Sequence, residues 1–229
     1  MKVNIFGRNK EELTPVLKEM GFRVGEESPE FIISYGGDGT IMQAEHKYPE
    51  IPKIALRNSA ICKKCPPLDN EEILSRVING KYSVEELYKL QVSCKRDDTL
   101  IKHGMDSIIV HNADPRRAMR YKLNINGEKI NVEDIIGDGI VVATPFGSTG
   151  YYRSITDSFF EVGIGVAFNN STEQSDHMVV SEDSIIELEV TRGPAVVYAD
   201  NQDGAINLDK GDKIRIKKSP QVVRLLQFK

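Results

Sequence analysis

Three cysteines among 229 residues cannot staple a disulfide scaffold, and an odd count leaves one over. Long apolar runs are also scarce: Val162–Phe168 is far short of the roughly 20 residues that cross a bilayer. No cationic start followed by an apolar stretch marks a secretory signal, so the expected setting is a reducing cytoplasm with no membrane partner. Positive charge is not in excess. Thirty Lys+Arg against 34 Asp+Glu leave a net charge of -4, which argues against the basic face of a nucleic-acid binder. What is present is a globular balance, 40% hydrophobic and 28% charged, and it excludes a disordered tail or a collagen-like fibre.

The first third alternates short apolar runs with amphipathic segments of helical length. Val3–Phe6, Phe31–Ser34 and Lys53–Leu56 read as strands; Glu11–Met20, Thr40–Tyr48 and Glu71–Ile78 read as helices. That alternation predicts a parallel sheet covered by helices. After about Ser83 the pattern changes to strands: Tyr88–Val92, Ser107–Val110, Met119–Ile125, Ile185–Val190, Ala195–Tyr198, Lys213–Ile216 and Val222–Leu226. Asn126-Gly127 tolerates the positive φ of a two-residue hairpin turn. One later helix is expected, beginning near Ser148. The fold class is therefore α+β: an N-terminal α/β three-layer domain over 1–83, then a β-rich, antiparallel, sandwich-like domain over 84–229, with the C-terminal strands free to return to the first.

The segment Gly36-Gly37-Asp38-Gly39-Thr40 follows an apolar strand and opens a helix. Glycines let a ligand approach the backbone, and the amides of such a turn suit phosphate. Asp38 is the anomaly, because a carboxylate repels phosphate unless it deprotonates a hydroxyl or holds a metal. The alternative is a tight turn with Asp38 capping the helix. No Gly-Lys-Ser/Thr follows and no complete Gly-x-Gly-x-x-Gly is present, so neither a P-loop nor a Rossmann site is supported. A second segment runs Gly137-Asp138-Gly139, an apolar strand, then Thr144-Pro145-Phe146-Gly147-Ser148-Thr149-Gly150-Tyr151. Its hydroxyls either cap a helix or, with Tyr151, hold a ribose and a base.

Together the two segments resemble the NAD kinase family, whose members carry GGDGT early and GDG–strand–TPTGSTAY late. Here Phe146 stands for Thr and Gly150 for Ala. Weaker likeness continues through His177–Ser184, Tyr198–Gln202 and Leu208–Phe228. The resemblance implies an α/β domain followed by a β-rich one, and transfer of phosphate to the 2′-hydroxyl of the adenosine ribose of NAD. The donor is ATP or polyphosphate, with Mg²⁺ or another divalent cation, and the assembly is a homodimer or homotetramer. Asp38 would be the general base. Gly36, Gly37, Gly39 and Thr40 would cradle donor phosphates. Asp38, Gly39, Asp106, Ser107, Asp138, Thr149, Gly150, Tyr151, Ser154 and Gln202 would line the NAD pocket.

This chain departs from the family in three places. Asp106-Ser107 stands where the family has Asn-Glu, with Asn112 five residues too late. Ala55-Leu56-Arg57-Asn58-Ser59 has lost the glycines of Gly-Ile-Asn-x-Gly, and Thr156-Asp157 replaces a Gly-Gly. A kinase with another hydroxyl acceptor, or a sensor that binds NAD(P) without catalysis, therefore remains as an alternative. Cys62 and Cys65 have the spacing of a redox or metal pair, but Cys94 and 4 scattered His supply no second pair for zinc, so this stretch reads as a plain loop. His111 and His177 read as structural, the latter in a polar loop. Arg116, Arg117 and Arg120 read as a solvated strand edge.

Overall fold

In the computed structural model, which describes residues 1–172 and 176–228 without the side chains of 98 and 99, the chain forms two units. One is Met1–Leu87 with Gln221–Lys229; the other is Tyr88–Pro220. The first contains β1 (Lys2–Phe6), α1 (Lys10–Glu19), β2 (Arg23–Val24), β3 (Phe31–Gly36), α2 (Asp38–Lys47), β4 (Lys53–Arg57) and α3 (Asn70–Ile78). Its strands are parallel in the order β2-β1-β3-β4, and the end of the chain's last strand adds Leu225 opposite Lys53.

Alternation along these strands sends side chains to opposite faces. Val3, Ile5, Ile33, Ile54 and Leu56 cluster with Leu13 and Leu17 of α1 and with Ile73, Leu74 and Val77 of α3. The intervening residues meet α2 and the residue after it. Asn4 Nδ2 donates to Tyr48 Oη at 2.9 Å, and Lys53 Nζ binds Glu45 and the Tyr48 carbonyl. Lys53 and Glu45 are fully buried, so removing either partner would leave a charge stranded, at a cost of about 3–5 kcal/mol. Helices thus cover both faces. Each strand-to-helix turn lies at the carboxyl end of a parallel strand, where open α/β sheets bind ligands.

From Ser83 onward come β5 (Ser83–Cys94), β6 (Asp97–Gly104), β7 (Ser107–Asn112), β8 (Met119–Ile125), β9 (Glu128–Lys129), β10 (Ile135–Gly137), β11 (Gly139–Ala143), α4 (Tyr151–Thr156), β12 (Ile164–Asn169), β13 (His177–Val180), β14 (Ile186–Arg192), β15 (Ala195–Ala199), β16 (Ile206–Leu208) and β17 (Lys213–Gln227). One antiparallel sheet has the order β13-β12-β11-β7-β15-β16. The other runs β10-β8-β14-β17, with Leu188 opposite both Leu123 and Ile214.

The inward residues of these sheets make one core. In β8, Met119, Tyr121, Leu123 and Ile125 are buried while Arg120 and Lys122 face out. They join Leu188, Val190, Ile108, Val110, Ile140, Val142, Val166 and Val197. The β8–β9 hairpin turns at Asn126 (φ 54°) and Gly127 (φ 85°), with Ile125 opposite Glu128. Every residue of β11 is buried, because Val141 and Ala143 are covered in turn by Tyr152 of α4 and by Ala167.

The observed architecture is the expected α+β class. Three details differ. His177 opens β13 rather than sitting in a loop. The two runs Lys213–Ile216 and Val222–Leu226 are parts of one strand, β17. Cys62 and Cys65, expected in a plain loop, form a disulfide.

Candidate functional site

The acidic glycine turn folds where β3 gives way to α2. Gly36 ends the strand, Gly37 is the N-cap in extended conformation, and Asp38 is the first helical residue. Asp38 is therefore not the cap. Crowding requires glycine at 36, where a Cβ would lie 2.2 Å from Thr40 Oγ1, and favours it at 37, where a Cβ would lie 3.0 Å from the Ile61 carbonyl oxygen. Thr40 Oγ1 accepts from the Gly37 amide at 3.4 Å and closes the turn. Gly37, Asp38, Gly39 and Thr40 are all half-buried, at the end of α2 whose dipole attracts anions.

The Asp38 carboxylate turns toward the Cys62–Cys65 loop. Its Oδ1 accepts the Lys64 amide at 2.9 Å, and its Oδ2 accepts the Lys63 amide at 3.2 Å. Cys62 Sγ lies 3.2 Å from Oδ1; as a disulfide sulfur it has no proton, so this is a contact and not a hydrogen bond. The loop is tied at both ends. Arg57 Nη2 donates to the Cys62 carbonyl at 3.1 Å, while Arg57 and Asn70 exchange bonds of 2.9 and 2.8 Å. Nothing in the linear order signalled this meeting, since 24 residues separate Cys62 from Asp38.

In the second unit a network of backbone bonds builds the other motif. The Asp200 carboxylate accepts the amides of Met105, Asp106 and Ser107 at 2.8, 2.8 and 2.9 Å. Those bonds fix the turn that carries Asp106. Thr144 Oγ1 donates to the Met105 carbonyl at 2.6 Å and accepts from the Gly147 amide at 3.1 Å. A Cβ on Gly147 would stand 2.0 Å from the Asp106 carbonyl oxygen, so only glycine allows the two loops to touch. Ser107 Oγ donates to Asp106 Oδ1 at 3.0 Å, and a Cβ on Gly150 would be 3.3 Å from Asp106 Oδ2. Asp106 and the start of α4 are thus neighbours.

Asp138 sits beside the same strands. It accepts from Asn112 Nδ2 at 3.1 Å and from Asn170 Nδ2 at 3.0 Å. The adjacent Asn169 donates to Tyr151 Oη at 3.0 Å, which links Asp138 and Tyr151 through one turn. Asn112 is too late in register for the family's Asn-Glu pair, and its role here is to hold Asp138. Gln202 donates to the His103 carbonyl, and Ser154 Oγ donates back to the Tyr151 carbonyl at 2.7 Å, exposed on α4. Ser148 is buried and donates to the Pro145 carbonyl at 2.8 Å, so its hydroxyl serves the turn. Asn112 Nδ2 also reaches the carbonyls of Asp114 at 3.2 Å and Arg117 at 2.9 Å, while the Arg116 side chain is exposed and paired with the Asp114 carboxylate at 2.9 Å.

The expected residues therefore fall into two groups. Gly36, Gly37, Asp38, Gly39 and Thr40 share one turn of the first unit. Asp106, Ser107, Asp138, Thr149, Gly150, Tyr151, Ser154 and Gln202 belong to the second unit, around the ends of β7 and β11. Sequence reading named Asn112 and the Tyr198–Gln202 turn without their supporting roles, and missed Asn169, Asn170 and the Lys63-Lys64 amides. No helix among the described residues is long and apolar enough to cross a membrane.

Comparison with known proteins places the chain in a family. Residues 105–228 match the model of the ATP-NAD kinase C-terminal domain. An NAD kinase of Methanopyrus kandleri is 31% identical over 222 residues, covering 93% of this chain and 76% of that protein. One from Thermococcus sibiricus is 27% identical over 206 residues, covering 87% and 73%. The fold resembles yeast NADH kinase complexed with NADH, with TM-score 0.84, 17% identity and coverage of 100% and 84%. It also resembles an Archaeoglobus fulgidus NAD kinase in complex with ATP, with TM-score 0.80, 23% identity and coverage of 99% and 94%. The family model spans more than half of the chain and a relative of the same name spans nearly all of it, so the chain belongs to the NAD kinase family.

Proposed function

We propose that the protein transfers the γ-phosphoryl group of ATP to the 2′-hydroxyl of the adenosine ribose of NAD, giving NADP and ADP. The observation that carries this reading is Asp38: a half-buried residue at the first position of a helix, in a turn where Gly36 has no room for a side chain and Gly37 little. A negative group is costly beside bound phosphates unless it takes part in the chemistry.

Asp38 would accept the proton of the 2′-hydroxyl as that oxygen attacks phosphorus. Oδ1 also touches Cys62 Sγ and holds the shorter amide bond, so Oδ2 would be the oxygen that takes the sugar hydroxyl. Both carboxylate oxygens keep one amide, which fixes the rotamer without exhausting the lone pairs. Phosphoryl transfer asks the protein mainly for alignment and charge stabilisation, so the base supplies about 10²–10⁴-fold. The turn from Gly36 to Thr40 would seat the donor phosphates against the α2 dipole. Asp138 would hold the nicotinamide end, and Tyr151 with Thr149, Gly150, Asp106, Ser107, Ser154 and Gln202 would line the adenosine pocket.

Among the described residues, no group of three or more His, Cys, Asp and Glu side chains could hold a metal ion. A protein cage for a divalent cation does not fit these residues. Mg²⁺ would instead arrive on the ATP phosphates, where it supplies charge neutralisation. Polyphosphate as donor, a homodimer or homotetramer as assembly and a cytoplasmic setting complete the proposal.

The test is direct: incubate the chain with NAD, Mg²⁺ and either ATP or polyphosphate, and follow NADP with an NADP-specific dehydrogenase. NADP should accumulate with ATP. A folded chain that binds NAD yet makes no NADP with either donor would point to the sensor alternative.

A further inference from the structure

The disulfide Cys62–Cys65 closes a small ring against the Asp38 carboxylate. The two residues inside this ring, Lys63 and Lys64, donate both of the backbone amides that reach the carboxylate. The ring is anchored to the sheet by Arg57 Nη2 on the Cys62 carbonyl at 3.1 Å, and Cys65 Sγ lies 3.9 Å from the carbonyl of Gly36 in the same turn. Both cysteines are buried, at 5% and 8% exposure, while Ile61 before them is 72% exposed. The third cysteine, Cys94, is free and buried elsewhere, so this pairing does not exhaust the thiols.

From this arrangement we propose that the Cys62–Cys65 disulfide is a redox-sensitive positioning clamp, which holds Asp38 in its reactive orientation when closed and lowers turnover when opened. The inference rests on reading Asp38 as the general base. Opening requires a dithiol. Its thiolate attacks one sulfur, the S–S bond breaks and the other cysteine leaves as a thiolate; the reagent's second thiolate then attacks the reagent's own sulfur in the mixed disulfide, expels the remaining cysteine and closes the reagent into a cyclic disulfide. Two electrons and two protons pass to Cys62 and Cys65. The freed loop regains conformational freedom, its two amides are no longer pinned, and the carboxylate samples rotamers remote from the sugar hydroxyl. Misplacing a reacting group by about 1 Å can cost on the order of a hundredfold in rate.

The experiment compares NADP formation by the whole chain before and after treatment with a dithiol, with thiols counted in denaturant. Reduction should raise the count from the single free Cys94 to all three cysteines. kcat should fall about tenfold or more, KM for NAD should change less, and reoxidation should restore kcat. Cys62→Ser/Cys65→Ser should show the low kcat without treatment and ignore the dithiol, with circular dichroism reporting its fold. An equal or higher kcat with all three thiols free would overturn the clamp, as would a folded double variant that retains the oxidised rate. NADP absent in every state would sink the assigned reaction itself, and this inference with it.

Discussion

Asp200 Oδ1 accepts the amide of Asp106 across 2.8 Å, although 94 residues separate them. The same carboxylate takes the amides on either side, Met105 and Ser107. The turn that presents Asp106 next to Gly150 is therefore held by a late acidic residue, and the proposed adenosine pocket would depend on a side chain that need not touch substrate.

Asp200→Ala should lose about 2–4 kcal/mol of stability, because three amides lose a charged acceptor. Asp200→Asn should lose less, since one carboxamide oxygen still accepts. Urea unfolding of the two variants checks the order, and KM for NAD should rise in both. Equal stability of Asp200→Ala and the native chain would remove Asp200 from this role.

Gly147→Ala forces a Cβ to within 2.0 Å of the Asp106 carbonyl oxygen and 2.6 Å of its carbon. Both obstacles are backbone, so no rotamer change relieves them. The substitution should cost about 3 kcal/mol, or displace the loop and raise KM for NAD severalfold. Thermal unfolding and steady-state kinetics together report which occurs.

Much of this was legible in the amino-acid order, and the reasons are local. Met119–Ile125 shows its buried face because alternation needs no partner to be visible, and Asn126-Gly127 announces its turn through φ alone. β6 was missed because Lys95-Arg96-Asp97-Asp98 reads as solvated, whereas its pairing is set by the neighbouring strand β5. β17 was read as two runs because Lys217-Lys218-Ser219-Pro220 interrupts the apolar pattern. The turn Gly36–Thr40 could be picked out from residue types. The grip of Lys63 and Lys64 on Asp38 could not, because backbone amides carry no residue signature and the loop returns only through tertiary folding.

Acid should weaken the second unit in two stages. Burial, with Lys89 nearby, holds His103 below its ordinary pKa, so the folded state prefers it neutral. The unfolded chain then binds the extra proton first, and stability falls as pH drops below about 6.5. Glu187 is held low by hydrogen bonds from Lys95 and Arg215, so its contribution is present above about pH 4.3 and is lost as pH falls further. Urea midpoints of the native chain should decline between about pH 7.5 and 5.5, and those of a folded His103→Asn variant should decline less. A parallel decline in both would reassign the first stage.

The most direct measurement pairs turnover with affinity in Asp38→Asn. The substitution preserves shape and removes the base, so kcat for NADP formation should drop about 10²–10⁴-fold, while NAD binding by calorimetry stays within a few-fold of the native chain. A variant that binds NAD and makes NADP at the native rate would contradict the account.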